Sequence, residues 1–187
     1  MRHTRTQYKL EEARFFLKCL EEHWRHVPQV DFYISACISA ARSVTWVMNS
    51  EFGKKEGFKG WFESRKPSSE IRKFLKEIND VRVDLTKSTP IKTRTSVNVV
   101  VRKEDLTPEV MYYLKPENNH LVTLEPIDKT NTEFYIRVGG KIIAKGYLEN
   151  AKHEIPTFKG QDAREVCKKY IEELEILVNE CHSKFHS

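Results

Sequence analysis

Apolar positions recur at helical spacing through the first half of the chain. Leu10, Ala13, Leu17, Leu20 and Trp24 step by three and four, which predicts one helix face that Pro28 must end or interrupt. A second pattern follows at once through Tyr33, Ala36/Cys37, Ala40, Val44 and Val47/Met48, broadened by Ile34, Ile38 and Thr45. Its centre, SACISAARS, is built of small residues that let neighbouring backbones come close, so this segment is read as the central helix of a bundle. Gly53, Gly57 and Gly60 loosen what comes next, while the aromatics of GFKGWF are expected to tuck into the bundle edge. After Pro67, Ser68 or Ser69 can cap a helix that places Ile71, Phe74/Leu75, Ile78, Val81 and Leu85 on one side.

The period then changes. SVNVVVRK, Ser96 to Lys103, is rich in β-branched residues and of strand length, and HLVTLEP is a weaker strand candidate. TEFYIRVGGKIIAKGYL reads as a hairpin, two β-prone runs joined by Gly139-Gly140. Between these runs, Thr107-Pro108 opens a short helical turn, with Pro at the first helical position. Helical spacing returns with Val166, Tyr170, Leu174, Leu177, Cys181 and Phe185, and Asp162 stands where a cap is needed. The predicted fold is α+β and mostly helical. Residues 1–88 and 160–187 form a helical bundle, and residues 89–159 form a β-rich insert with a small antiparallel sheet, packed on the same domain.

At 187 residues, 39% of them hydrophobic and 11% aromatic, the chain can bury a substantial core and is no disordered segment. The balance of 32 basic against 27 acidic residues leaves +5, which permits an acidic partner without demanding one. No run of about 18 apolar residues occurs, so no membrane span is expected, and the charged start lacks the apolar core of a signal peptide. Cys19, Cys37, Cys167 and Cys181 form no CxxC pair and read as free thiols of a cytoplasmic protein.

The residues with chemical potential gather in FLKEINDVRVDLTKS, Phe74 to Ser88. On an ideal helix Arg82 falls on the apolar side with Leu75 and Ile78, whereas Asp80 and Asp84 point away. A charge in an apolar stripe must snorkel, pair with a carboxylate, or line a cleft where a ligand such as a phosphate binds. Asp80 and Asp84 read as solvated helix charges. Arg42, inside SAARS, is either a surface ion pair or a cleft residue shared with this stretch. The acid-free basic segment from Leu85 to Lys103, with Lys87, Lys92, Arg94, Arg102 and Lys103, is either a phosphate-contacting surface or a solvated edge strand. His182/His186 and His23/His26 lie at helix ends, and His120 and His153 stand alone. Asp80/Asp84 and His182/His186, each four apart, could share a metal, but no third ligand accompanies them. No paired Cys/His spacing, nucleophile elbow or phosphate-cradling loop is present, so no cofactor and no metal are expected.

The order of a long helix, FYISACISAARSVTWVM, GFKGWFES and IRKFLKEIND, closed by DAREVCKKYIEELEILV, resembles the HEPN superfamily (higher eukaryotes and prokaryotes nucleotide-binding). These are helical bundles common among prokaryotic toxins and defence RNases. The resemblance covers about Leu10 to Leu85 and Asp162 to Phe185 and leaves out the β-rich middle. It implies a bundle that dimerises, with an Arg, a polar residue and a following His forming an RNase site at the dimer cleft. In this chain Asn79 stands at the Arg position and Asp80 at the polar position, and no His occupies Asp84, Leu85 or Thr86. Reading from Arg82 instead gives Lys87, Ser88 and Thr89, again without His. The resemblance therefore implies a degenerate, non-catalytic member in a defence or toxin–antitoxin context, with a homodimer and RNA or a nucleotide as partners. Asn79, Asp80, Arg82, Lys92 and Arg94 are its cleft or phosphate-binding candidates, and no residue is assigned as catalytic. The alternative it leaves is a diverged RNase or nucleotide-processing enzyme.

Overall fold

The computed structural model describes residues 3–25, 29–65, 69–87, 93–127 and 132–186, without the side chains of 69–71, 82 and 84–87. The fold is α+β. Its described elements are α1 (Arg5–Glu22), α2 (Gln29–Phe52), α3 (Phe58–Ser64), α4 (Ser69–Lys87), β1 (Arg94–Val101), α5 (Pro108–Leu114), β2 (Val122–Pro126), β3 (Glu133–Val138), β4 (Lys141–Glu154) and α6 (Ala163–Phe185). The chain divides into two compact units, residues 1–94 with 153–187, and residues 95–152.

In the helical unit, α2 packs against α1, α4 and α6. Val30, Ile34, Cys37, Ile38, Ala41, Val44 and Met48 are almost fully buried, so the wide apolar face predicted for this helix is a core on several sides. The small residues at its centre allow close approach to α1, where Cys37 Sγ lies 3.9 Å from the Ala13 carbonyl. Helix α1 begins with a reciprocal capping box, Thr4 and Gln7 exchanging side-chain-to-backbone bonds. It ends at Glu22, before Trp24, which the spacing had carried into the helix. Trp24 instead lies under two guanidiniums, with the Cζ of Arg25 and of Arg164 at 4.7 and 4.8 Å from the ring centroid.

Helix α3 presents Phe58 and Trp61 to a ring cluster with Phe52, Phe62 and Phe185, the tucking that GFKGWF predicted. Helix α4 buries Phe74, Ile78 and Val81, and Phe74 meets the rings of Phe158 and Tyr170. Ile155 and Phe158 belong to this helical core. The helical unit therefore resumes at His153, whereas the sequence pattern carried the β-rich insert on to residue 159. His153 is 1% exposed, and its Nε2–H donates to the Trp24 carbonyl at 2.5 Å. Helix α6 is capped by Asp162, whose Oδ1 accepts from the Arg164 amide at 2.8 Å.

The second unit is a four-stranded sheet in the order β1-β4-β3-β2. Strands β2–β3 and β3–β4 pair antiparallel, with Leu124↔Ile136 and Ile136↔Ala144 in register. Gly139 and Gly140, at φ 56° and 82°, make the tight turn that only residues free to take positive φ close without strain. The β3–β4 register shifts between Ile136 and Arg137, so one extra residue of β4 bulges there. Val110 of α5 packs on Ile136 and Ala144 with Val99, Val101, Leu114, Val122, Leu124 and Ile143 around them. Thr107 caps α5 through its hydroxyl, which accepts from the Val110 amide at 3.2 Å. Strand β1 runs two residues earlier than the pattern suggested, because the turn at Lys103–Asp105 ends it.

Candidate functional site

The helical unit carries a groove of about 860 Å3 whose walls come from α2, α3, α4 and α6. Helix α2 contributes Arg42, Thr45, Trp46 and Asn49, residues three, four and seven apart that a helix must stack on one face. Leu75, Lys76 and Asn79 come from α4, and Tyr170, Glu173, Leu174, Ile176, Leu177 and Glu180 from α6. The apolar part of the lining is unusually open to solvent. Trp46 is 70% exposed and Ile176 59%, which leaves large side chains uncovered beside a concavity.

Arg42 is the most constrained polar group here. Its Nη1 donates to Thr45 Oγ1 at 3.2 Å, and that hydroxyl donates back to the Arg42 carbonyl at 3.3 Å. Its Nε is buried and has no hydrogen-bond partner, and no carboxylate pairs with it among the described residues. Along the same face Asn49 Nδ2 donates to the Thr45 carbonyl at 2.8 Å. Arg65, the residue that follows α3, pairs with Glu180. Lys76, Glu63 and Glu173 complete the charged rim.

Of the residues singled out in the sequence, Asn79 lines this groove and is joined there by Arg42. Arg42 is thus a cleft residue, the second of its two readings. Asp80 is exposed on α4 and is not among the lining residues, as expected for a solvated helix charge. The side chains of Arg82 and Asp84 lie outside the described residues, as does Lys92. Arg94 is exposed at the start of β1 and away from the groove lining. Within the basic segment, Arg102 is bound to Glu133 at 2.5 Å, and the side chain of Lys87 lies outside the described residues. Trp46, Asn49 and Ile176 were not singled out in the sequence. Trp46 and Ile176 gave a signal, since each is a large apolar residue off the buried stripe of its own helix.

The described lining includes no histidine and no cysteine. The hydroxyl of Ser64 donates to the Trp61 carbonyl at 2.7 Å. Among the described residues no group of three His, Cys, Asp or Glu side chains is arranged to hold a metal ion, and no helix is long and apolar enough to cross a membrane. The arrangement offers hydrogen-bond donors, three glutamate carboxylates, a guanidinium with no carboxylate partner among the described residues, and an apolar wall. Comparison with family models, curated proteins and solved structures finds no match to this chain.

Proposed function

We propose that this chain is a non-catalytic binding protein built on a HEPN-like helical bundle, and that the groove between α2, α4 and α6 is its binding seat. One observation carries the reading. The groove gathers Asn79, Arg42 and the exposed Trp46, yet its described lining holds no histidine, the proton-transfer group that the resemblance implies. General acid–base cleavage of RNA needs such a group within hydrogen-bond reach of the reacting hydroxyl or of its leaving group. A guanidinium supplies charge stabilisation but no proton transfer, because it stays protonated.

Incubation of the purified protein with single-stranded RNA in the presence of a chelator tests this. The expected result is intact RNA at every time point. Metal-free cleavage that is lost in Arg82→Ala or Arg42→Ala overturns the reading in favour of a diverged RNase.

The homodimer and the RNA partner implied by the family resemblance are extensions of the same proposal. Sedimentation of the protein alone, and a mobility shift on labelled RNA at low salt, decide them. A monomer, or an RNA left unshifted, removes each in turn.

A further inference from the structure

We infer that the groove of the helical unit takes a small amphiphile, an apolar body ending in one carboxylate or phosphate, with the anionic end on Arg42. The inference rests on the binding reading above and names the ligand class. It starts from the guanidinium. A buried N–H without an acceptor is destabilising, and Arg42 Nε is such a donor at the wall of a concave site. Its Nη1 meets only the neutral hydroxyl of Thr45, so the full positive charge is not neutralised by any described side chain. An oxyanion in the groove answers the unneutralised charge, since it accepts charge-assisted bonds from a guanidinium.

The rest of the lining says what the anion is attached to. Trp46, Phe62, Leu75, Leu174, Ile176 and Leu177 form apolar wall, and two of them, Trp46 and Ile176, are more than half exposed. A free inorganic anion would leave that wall wet. A chain or ring system of modest size would cover it, and about 860 Å3 is within the span of sites that enclose such molecules. Lys76 adds a second positive charge on the α4 side. Glu63 and Glu173 on the rim disfavour a ligand with more than one anionic group.

Equilibrium binding of decanoate, decyl phosphate and decan-1-ol, all below their aggregation limits, tests this on the full chain. Tryptophan fluorescence reads the titrations, and the part lost in Trp46→Phe identifies the groove. Both anions are expected to bind at least tenfold tighter than the alcohol, and the tighter of the two tells carboxylate from phosphate. Arg42→Gln is expected to bring the anions down to the affinity of the alcohol. If Arg42→Gln fails to fold, Ile176→Glu serves instead, because the position is exposed and its added carboxylate should weaken the anions more than the alcohol. The inference is overturned if decan-1-ol binds as tightly as decanoate, if Arg42→Gln leaves the anion preference intact, or if none of the three binds. RNA that stays intact alongside any of these results leaves the non-catalytic reading standing and removes only the ligand class.

Discussion

Glu51 accepts both the amide and the hydroxyl of Thr6, at 2.8 and 2.7 Å. Its other oxygen accepts from the Arg5 amide at 3.0 Å. A carboxylate near the end of α2 thus satisfies the first amide donors of α1, where the helix dipole also favours negative charge. Burial alone raises the Glu51 carboxyl. The Thr6 hydroxyl, the two amides and the Arg5 charge together outweigh that and hold it below its ordinary value.

Glu51→Gln is expected to cost about 1–2 kcal/mol, the scale of a lost capping or charge-assisted bond. The neutral amide keeps one acceptor and loses the charge. Chemical denaturation of the two proteins at neutral pH measures it.

The same carboxylate, with Asp162, sets an acid limb. Burial raises Asp162 too, but hydrogen bonds from the Arg164 side chain and amide, the Arg164 charge and the His153 amide bring it below the usual carboxylate range. Both groups bind protons more weakly folded than unfolded, so the stability they confer is complete above about pH 4–4.5, the unfolded carboxylate range. It is lost as pH falls through their lower folded values. Stability measured down this range should fall less steeply in Glu51→Gln than in the parent; an unchanged slope would remove Glu51 from the account.

Gly146→Ala is expected to destabilise the sheet unit by about 1–3 kcal/mol, the cost of overpacking. An added Cβ would lie 2.7 Å from Val99 Cγ1 and 3.0 Å from the Val100 carbonyl oxygen. A β-branched side chain and a backbone atom have little room to yield. Thermal unfolding followed in the near and far ultraviolet checks the size of the loss.

Thiol labelling should separate Cys19 from the other three cysteines. Cys37, Cys167 and Cys181 are buried and Cys19 is not. A hydrogen bond with Cys37, together with burial, raises the Cys167 thiol, and burial with the Glu51 charge pushes Cys181 up to about 11. Since the thiolate is the reacting form, a disulfide reagent at neutral pH should modify Cys19 first in the folded protein. The other three should follow at the rate of unfolding. Rapid modification of more than one thiol under native conditions contradicts this burial.

The helices and the hairpin were legible because their signals are local. The stripe from Val166 to Phe185, the cap at Asp162 and the Gly139-Gly140 turn each need only their own neighbours in the chain. Trp24 was misread for the opposite reason. Its spacing extends the α1 stripe, but its place is set by Arg164 and by the His153 hydrogen bond to its carbonyl, both far off in sequence. The groove was legible in part. Asn79 and Arg42 each stood out singly, and only the packing of α2, α4 and α6 brings them to one surface. No periodicity carries that information, because it depends on which flanks of three helices face each other.

The division of the helical unit into residues 1–94 and 153–187 also fixes an order of assembly. As the chain is made from its N-terminus, every residue of the sheet unit is synthesised before α6, and domains fold as their residues become available. Until α6 arrives, α2 lacks one of its packing partners and the groove lacks the wall from Tyr170 to Glu180. Binding of the proposed ligand can therefore report the arrival of α6. A nascent protein held before residue 163 would have its sheet but lack the α6 wall of the groove.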